Sequence, residues 1–435
     1  MLKSFFDSRR IAVIGAAREE EKVGNVIFRN LLGNSNFRVF PVNPKATEIY
    51  GVKCFSSVME IPYVVDLVVI CVKAEIVPKI LEECGRKRIK NAIIISAGFS
   101  EAGNYGLNEQ VREIAKRFEI EILGPNVLGI LNPYKGMNAT FFKGMPEKGK
   151  ISFVSQSGAL GTAVLDKAIE EKVGFASFIS LGNMLQQDFI SALEYLENDV
   201  YTEVIMLYIE SLKEDTGEKF IEICKRISKR KRIIALKSGK TKSGEFAAKT
   251  HTSSMASPYK IYSGVFKQAG IIEAESVEEM FLIAKFLARY RNIGKKACVI
   301  SNAGGLGVLT ADVCAESGIK LEPLSENLLA ALDVAMPAGY SRSNPLDILG
   351  DAQADRYERA VKILDRGDYD FFIVILTPQS MTQGLRTAEL LTNYSKPMIY
   401  CYVGGKSFRE AREFLKEKKE IIIEDVFRLK FLSKL

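Results

Sequence analysis

The sequence predicts an α/β fold of three Rossmann-like or flavodoxin-like domains, each built on a mostly parallel sheet. Short β-branched runs alternate with longer amphipathic stretches along nearly all of the 435 residues, which is typical of repeated βαβ units. The chain is about three times as long as a common domain, and a Gly/Pro/Lys-rich stretch at 143–150 separates the first two groups of strands. We expect domains at residues 1–130, 145–290 and 295–435.

Each domain has its own set of strand-like runs that end in small or turn residues. In the first domain these runs are RIAVIGAA, FRVFPVNP, VDLVVICV, NAIIISAGFS and IEILGPN. In the second they are KISFVSQSG, FASFISLGN, EVIMLYIES and RIIALKSGK, and in the third KKACVISNAGG, FFIVILTPQS, KPMIYCYVGG and KEIIIED. Because ligands bind beyond the carboxyl ends of parallel strands, functional residues are expected in the strand-to-helix turns.

Composition narrows the class of protein. Apolar residues make up 47% and charged residues 26% of the chain, which is ordinary globular usage. No run reaches the roughly 18 apolar residues of a membrane helix, and residues 1–10 lack a signal-peptide core, so we expect a cytoplasmic protein without a membrane partner. The net charge of +7, from 60 basic and 53 acidic residues, suits anionic small ligands but is too small to predict nucleic-acid binding.

Histidine and cysteine usage limits the available chemistry. Seven scattered cysteines without a CxxC pair and a single histidine, His251, predict neither a disulfide framework nor a metal site. His251 lies in a polar stretch at 237–258, so it is either a surface residue or a phosphoryl acceptor oriented by an acid. Glu210, at the end of the apolar strand 204–209, is the candidate acid, and a solvated strand-end glutamate is the alternative.

The turn after the first strand, Gly15-Ala16-Ala17-Arg18, is of the kind that places a phosphate at a helix N-terminus. It is not a GxGxxG turn, and where an NAD site would carry an acid after the second strand the sequence has Lys45. A basic residue there favours a ligand with an extra ribose phosphate, such as NADP or coenzyme A. A tight turn without a ligand is the alternative.

Three further turns combine polar side chains with a predicted helix start. The turn Ser155-Gln156-Ser157-Gly158 brings hydroxyls and helix N–H groups to one anion-sized spot, although an N-cap alone would also explain it. Thr377-Pro378-Gln379-Ser380 is similar, with a proline suited to a first helical turn, and two such helix ends could hold one phosphate between them. Residues 301–305 give a small ligand access to the backbone.

In combination, these motifs resemble a known family, the α subunit of ADP-forming acetyl-CoA synthetase (acyl-CoA synthetase, NDP-forming) in the succinyl-CoA synthetase superfamily. The resemblance covers essentially the whole chain, because the family's motifs occur in order. They are VIGAA, PVNPK, ISAGFSE, LGPN, SQSGAL, SLGN, YIES, ALKSGK, THTSS, FKQAGII, SNAGGLGVL, NPLDI and ILTPQSM.

The resemblance implies a role for each candidate. His251 would be the phosphorylated histidine and Glu210 its partner, in a reaction of acyl-CoA, ADP and phosphate to acid, ATP and CoA. The implied phosphate-binding residues are Ser155, Gln156, Ser157, Thr377, Gln379 and Ser380. The implied coenzyme A residues are Gly15, Ala17, Arg18, Lys45, Val72, Ser96 and Gly98. The implied acyl-pocket residues are Asn302, Gly304 and Gly305.

The chain also departs from the family pattern. Serines replace the glycines that follow the histidine in SHTGSLAG, which puts the mobility of that loop in doubt, and GPNC is here GPNV. No ATP-grasp segment is visible, so ADP or ATP with Mg is expected on a partner β subunit in a hetero-oligomer such as α2β2. A non-catalytic CoA-sensing scaffold and an NADP-dependent oxidoreductase are the alternative functions.

Overall fold

The computed structural model describes residues 2–246, 259–291 and 293–435. The chain divides into two compact units, Met1–Met280 and Phe281–Leu435. Sheets of five, seven and five strands, almost entirely parallel, confirm the predicted α/β class. The division into three domains stays a prediction, because the first two sheets lie in the same compact unit.

The first sheet contains the five strands predicted for the first domain, and a small hairpin accompanies it. The strands are β1 (Arg10–Ile14), β2 (Arg38–Val42), β3 (Glu48–Ile49), β4 (Val52–Lys53), β5 (Leu67–Ile70), β6 (Asn91–Ile94) and β7 (Glu121–Leu123). The order in the sheet is β2-β1-β5-β6-β7, all parallel, and β3 pairs with β4. The helices are α1 (Leu2–Phe6), α2 (Val23–Leu32), α3 (Val77–Arg86) and α4 (Tyr105–Phe118), with 3₁₀ turns at Val58–Glu60, Ala74–Ile76 and Ser100–Ala102.

The central strands of this sheet are apolar throughout because helices cover both of its faces. Every residue of β5 and of β6 is buried, as expected for parallel strands between two helical layers. Residues of β1 alternate between two clusters of apolar side chains, with Ile11 and Val13 in one and Ala12 and Ile14 in the other. The two-residue period of the strand thus divides the core between the two faces of the sheet.

The second sheet has seven strands, of which five are parallel and two form an antiparallel hairpin at one edge. Its strands are β8 (Gly129–Asn132), β9 (Met137–Thr140), β10 (Lys148–Ser155), β11 (Phe175–Ser180), β12 (Val204–Ile209), β13 (Arg232–Lys237) and β14 (Ile272–Glu273). The order is β14-β13-β12-β10-β11-β8-β9. The helices are α5 (Gly158–Glu170), α6 (Phe189–Asn198), α7 (Gly217–Ser228) and α8 (Tyr259–Ala269). The next helix, α9 (Val277–Arg289), begins in the first unit and continues into the second.

The hairpin of β8 and β9 lies between the first predicted domain and the Gly/Pro/Lys-rich stretch at 143–150, and it belongs to the second sheet. β8 pairs antiparallel with β11 through Leu131 and Phe178, and β9 pairs antiparallel with β8. The side chain of Asn132 also donates to the Ser177 hydroxyl at 3.0 Å. The segment that follows the first sheet, residues 129–140, therefore belongs to the second sheet. The next strand, β10, begins at Lys148, inside the Gly/Pro/Lys-rich stretch at 143–150.

The second compact unit holds the third sheet. Its strands are β15 (Ala297–Ser301), β16 (Leu346–Asp347), β17 (Phe371–Leu376), β18 (Met398–Tyr402) and β19 (Ile421–Ile423), in the all-parallel order β16-β15-β17-β18-β19. The helices are α10 (Gly304–Glu316), α11 (Glu326–Ala335), α12 (Ala354–Leu364), α13 (Gly384–Leu391) and α14 (Arg409–Glu417), with 3₁₀ turns at Lys406–Phe408 and Val426–Lys434.

Among the helices that the structure describes, none is both long enough and apolar enough to cross a membrane. The seven cysteines are all free. Within each parallel sheet the strands end at a common edge, so the turns that follow β1, β5 and β6 lie near one another, as do those that follow β10, β12 and β13.

Substituting alanine for Gly24 tests the packing of α2 against the turn after β1. A Cβ at Gly24 would lie 2.0 Å from the carbonyl oxygen of Gly15, a backbone atom that cannot move aside alone. We expect Gly24→Ala to lower the free energy of unfolding by about 1–3 kcal/mol, measured by denaturant titration.

The matched control is Gly106→Ala. Gly106 lies in the first turn of α4, where an added Cβ meets nothing within 4 Å, and alanine is preferred to glycine in helices by about 0.5–1 kcal/mol. This variant should be as stable as the wild type or more so. A Gly24→Ala protein as stable as the Gly106→Ala protein would contradict the argument.

Candidate functional site

The first strand-to-helix turn, residues 15–22, passes unusually close to its neighbours. Gly15 has a φ of +89°, and a Cβ there would lie 2.5 Å from the carbonyl oxygen of Cys71, just after β5. Only glycine allows the backbone this conformation and this approach. The predicted glycine of the nucleotide-type turn is therefore required by geometry.

Two asparagines, the buried Asn25 and the half-buried Asn43, hold the backbone of this turn. Asn43 Nδ2 donates to the Ala16 carbonyl at 2.7 Å, and Asn25 Nδ2 donates to the carbonyls of Ala17 and Arg18 at 2.9 and 3.0 Å. Asn25 is only 1% exposed. These hydrogen bonds fix the carbonyls of the turn, and the turn leads directly into the N-terminus of α2, where backbone N–H groups are available to an anion.

Arg18 and Lys45 are both exposed at this edge of the sheet. Arg18 donates to the Glu48 carbonyl from Nε at 2.9 Å and from Nη2 at 2.6 Å, so it holds the β3–β4 hairpin against the turn. Asn43 Oδ1 accepts a hydrogen bond from the backbone N–H of Lys45 at 2.9 Å. The loop that carries Lys45 is thus fixed by the same asparagine that binds the first turn.

Three more predicted coenzyme residues follow β5 and β6. Ser96 donates its hydroxyl to the Val72 carbonyl at 2.6 Å, which joins the two turns. Gly98 has a φ of +106°, and its N–H donates to Glu101 Oε1 at 2.6 Å, with the Phe99 N–H at 3.3 Å from the same oxygen. The backbone N–H groups of the turn after β6 therefore already bind a carboxylate, that of Glu101.

A cavity of about 490 Å³ brings predicted residues of the first two sheets together. Val72 and Ser96 line it from the first sheet, and Gln156 and Ser157 line it from the second. Its other lining residues are Val23, Cys71, Ile95, Ala97, Asn126, Val127, Leu128, Phe141, Gly158 and Ala159. Burial raises the pKa of Cys71 to about 12, so this thiol is uncharged at neutral pH.

The turn after β10 meets the cavity at the N-terminus of α5. Ser157 is the N-cap, and its hydroxyl accepts a hydrogen bond from the Leu160 N–H at 3.3 Å. Ser155, fully buried, donates its hydroxyl to the Ser157 carbonyl at 2.8 Å. The first N–H groups of a helix have no intrahelical acceptor, and Gly158 and Ala159, which carry two of them, line the cavity. This is the place where an anion would bind.

Gln156 links this turn to the candidate acid. Its Oε1 accepts hydrogen bonds from the backbone N–H groups of Glu210 and Ser211, at 2.7 and 3.0 Å. Glu210 itself is 7% exposed and follows β12 directly. The structure thus brings Glu210 next to the predicted phosphate turn. His251 lies outside the described residues.

In the second unit, the turn after β17 differs from the prediction. Thr377, Gln379 and Ser380 do not open a helix, because α13 begins only at Gly384. Residues 377–383 instead form a loop in which Thr382 Oγ1 donates to the Thr377 carbonyl at 2.9 Å and Gln379 Nε2 donates to Thr377 Oγ1 at 2.8 Å. The predicted helix end at Pro378 is therefore wrong, because side chains in the loop bind the backbone groups that a helix would use.

Asn302 holds that loop from the neighbouring strand. It is 2% exposed, its Oδ1 accepts from the Thr377 N–H at 2.9 Å, and its Nδ2 donates to Gln379 Oε1 at 2.7 Å. Its amide is thus used to position the loop. Gly304 and Gly305 open α10 directly after β15, as the sequence predicts for this turn.

Sequence motifs did not indicate the residues that close the cavity from the side of the second sheet. Phe141 follows β9 directly, while residues 126–128 lie in the segment between β7 and β8. The LGPN motif, residues 123–126, indicated the segment before β8, but it did not indicate that this segment lines the same cavity as Ser157. Phe141 carried no signal, because its contribution depends on the pairing of β8 and β9 with a distant strand.

Comparisons with known proteins match both halves of the first unit. Residues 9–133 match the family model described as a CoA binding domain, and residues 148–287 match the succinyl-CoA ligase like flavodoxin domain. In structure, the chain resembles "dinucleotide forming Acetyl-coenzyme A synthetase 1 in complex with phosphate and ADP" from Ca. Korarchaeum cryptofilum. The TM-score is 0.93 and the identity 35%, over 100% of this chain and 96% of that one.

Two curated relatives match the chain along nearly its whole length. The chain is 39% identical to acetate–CoA ligase [ADP-forming] II subunit alpha of Pyrococcus furiosus, over 96% of this chain and 93% of the relative. It is 42% identical to acetate–CoA ligase [ADP-forming] I of Archaeoglobus fulgidus, over 95% of this chain but only 60% of that longer protein's length. The chain therefore belongs to the family of ADP-forming acetate–CoA ligases, and it matches their α subunits over nearly its entire length.

Proposed function

We propose that the chain is the CoA-binding, phosphohistidine-bearing subunit of an ADP-forming acyl-CoA synthetase, with acetyl-CoA as the first substrate to test. The reaction converts acyl-CoA, ADP and phosphate into the free acid, ATP and CoA. The observation that carries this proposal is the cavity in which Val72 and Ser96 of the CoA-binding sheet meet Gln156, Ser157 and the N-terminus of α5. A thioester and a phosphate ion could react there within one cavity.

The first step forms an acyl phosphate. A phosphate oxygen attacks the thioester carbonyl carbon, the C–S bond breaks, and CoA leaves as a thiolate that is then protonated. The N–H groups of Gly158 and Ala159 and the positive end of the α5 dipole stabilise the phosphate charge in the cavity. The apolar lining from Val127, Leu128 and Phe141 excludes water that would hydrolyse the mixed anhydride.

The second step transfers the phosphoryl group to the chain. A ring nitrogen of His251 attacks the phosphorus atom, the bond from phosphorus to the acyl oxygen breaks, and the free carboxylate leaves. The Glu210 carboxylate orients the ring through the other nitrogen and stabilises its positive charge. Splitting the reaction in this way replaces one difficult transfer by two easier ones. The phosphohistidine then gives its phosphoryl group to ADP.

The nucleotide and its Mg ion are proposed to bind on an ATP-grasp partner subunit, in a hetero-oligomer such as α2β2. Relatives named as α subunits support a partner. The Archaeoglobus relative, of which this chain spans 60%, has room for a further domain within one chain. The family assignment favours this function over the CoA-sensing scaffold and the NADP-dependent oxidoreductase.

Charge reversal at Lys45 tests the coenzyme site. Lys45→Glu should weaken CoA binding by about 10-fold or more, since a charge-assisted hydrogen bond contributes about 1.5–3 kcal/mol, and should weaken dephospho-CoA binding much less. Isothermal titration measures both affinities. Lys116→Glu, the same charge change on the exposed surface of α4, is the control. Equal losses for the two ligands would remove Lys45 from the 3′-phosphate.

Reconstitution tests whether ATP formation requires a partner subunit. The purified chain should form no ATP from acetyl-CoA, ADP and phosphate, and it should gain this activity when an ATP-grasp subunit of the family is added. A coupled assay for ATP measures the result, and the ATP-grasp subunit alone is the control. ATP formation by this chain without a partner would refute the split arrangement.

Labelling with radioactive phosphate tests the acceptor. With acetyl-CoA present, the chain should gain an acid-labile, base-stable phosphoryl group, which His251→Ala abolishes while CoA binding persists. Glu210→Gln should slow labelling by about 10²-fold or more, because orienting and acid–base groups typically contribute 10²–10⁴-fold. Label that remains in His251→Ala would identify a different acceptor.

A further inference from the structure

The carboxylate of Glu101 joins two turns of the first compact unit. Its Oε1 accepts hydrogen bonds from the backbone N–H groups of Gly98 and Phe99, in the turn after β6, at 2.6 and 3.3 Å. Its Oε2 accepts a hydrogen bond from Nδ2 of Asn183, in the turn after β11. Glu101 and Asn183 are both half-buried. One side chain therefore links the edge of the first sheet to the edge of the second.

Asn183 continues this link to the wall of the cavity. Its Oδ1 accepts a hydrogen bond from Nδ2 of Asn126 at 3.3 Å, and its backbone N–H donates to the Pro125 carbonyl at 3.0 Å. Asn126 lines the cavity, and its backbone N–H donates to the carbonyl of Ser96, another lining residue, at 3.0 Å. A series of hydrogen bonds thus leads from Glu101 to this part of the cavity wall.

The backbones of the two segments also approach closely at this place. A Cβ at Gly182 would lie 2.4 Å from the carbonyl oxygens of Pro125 and Asn126. Asn126 has a φ of +61°, a left-handed conformation that asparagine adopts more readily than most other residues. The Leu185 N–H donates to the Gly124 carbonyl at 2.9 Å. The two segments are therefore in direct contact, so a shift of one displaces the other.

A carboxylate fits this junction because both of its oxygens accept hydrogen bonds. Gly98, Phe99 and Asn183 each present an N–H donor to it, and hydrogen bonds to a charged acceptor are about twice as strong as neutral ones. The amide of a glutamine would instead set its NH₂ group against the NH₂ group of Asn183. If the Asn183 amide turned to avoid this, it would lose the hydrogen bond from Asn126.

We propose that Glu101 is a positioning residue for coenzyme A, which holds the turn after β6 and the side chain of Asn126 in the places where the coenzyme meets them. The inference rests on the proposed function, because Ser96 and Gly98 of that turn are residues proposed to bind CoA. Glu101 itself does not line the cavity. It acts through the backbone of the turn and through Asn183.

Isothermal titration with CoA measures the effect directly. Glu101→Gln should raise the dissociation constant by about 10-fold, because the charge is lost and two NH₂ groups face each other. Asn183→Asp should raise it by about the same factor, because two carboxylates then face each other. Wild-type affinity in Glu101→Gln would overturn the inference.

The double variant Glu101→Gln/Asn183→Asp restores the pairing with donor and acceptor exchanged. The introduced amide can donate to the introduced carboxylate, which can still accept the hydrogen bond from Asn126. The dissociation constant should therefore return to within about 3-fold of the wild-type value. Losses that multiply would overturn the inference. If Asn183→Asp alone does not fold, the double variant is compared with Glu101→Gln, and CoA binding no tighter than in Glu101→Gln would overturn it as well.

Glu279 provides a matched control, because its carboxylate makes the same kind of contact in the first turn of α9. Its Oε2 accepts a hydrogen bond from the Glu275 N–H at 2.6 Å, and its side chain is also half-buried. Glu279 does not line the cavity. Glu279→Gln should therefore leave the affinity for CoA unchanged. Equal losses of affinity in Glu279→Gln and Glu101→Gln would overturn the inference.

Phosphoryl labelling from acetyl-CoA and labelled phosphate separates positioning from a general loss of structure. Glu101→Gln should raise the KM for acetyl-CoA by about 10-fold and leave the rate at saturation within about 3-fold of wild type, since a residue that supports coenzyme binding changes KM more than the chemical step. A lower rate at saturation with an unchanged KM would overturn the inference. A wild-type chain that does not bind CoA would instead refute the proposed function, and the inference with it.

Discussion

The amide oxygen of Gln156 holds two parts of the site in one place. It accepts hydrogen bonds from the backbone N–H groups of Glu210 and Ser211, while its own backbone continues into the N-cap of α5. The N-terminus of α5 and the backbone that carries Glu210 are therefore fixed relative to each other before any ligand arrives. Preorganisation of this kind means that polar groups need not reorganise when charge develops. The cavity and the acid turn both depend on this contact.

The side of the cavity that the first sheet forms depends on a different constraint, the close approach of backbone to backbone. Gly15 lies against the carbonyl of Cys71, and Gly24 lies against the carbonyl of Gly15. Asn25 and Asn43 then take up the carbonyls of the same turn. The glycines create the space and the asparagines satisfy the backbone groups that would otherwise be buried without partners. Shape and hydrogen bonding are thus supplied by different residue types.

Local sequence patterns predicted the parallel strands and the positions of their turns well. The apolar runs of β12 and β17 were located at their observed bounds, and Glu210 was correctly expected at a strand end. Predictions failed where non-local pairing or side-chain hydrogen bonds decide the structure. The short strand β8 is held by its pairing with β11, and β9 is held by its pairing with β8. The loop at Thr377 is not helical, and Asn302 accepts a hydrogen bond from its backbone. Phe141 reaches the cavity only through the pairing of β9 with β8.

The hairpin of β8 and β9 also bears on how such a protein can be divided. The matched CoA-binding region ends at residue 133, inside the hairpin whose first strand covers β11. A fragment that begins after residue 133 would lack β8, so β11 would become an exposed edge strand at the apolar residues Phe178 and Ile179. Exposed edge strands pair with strands of other molecules and promote aggregation. The end of the matched CoA-binding region therefore does not coincide with a structural boundary. Exchange of this region between relatives would have to leave the hairpin with the second sheet, which it completes.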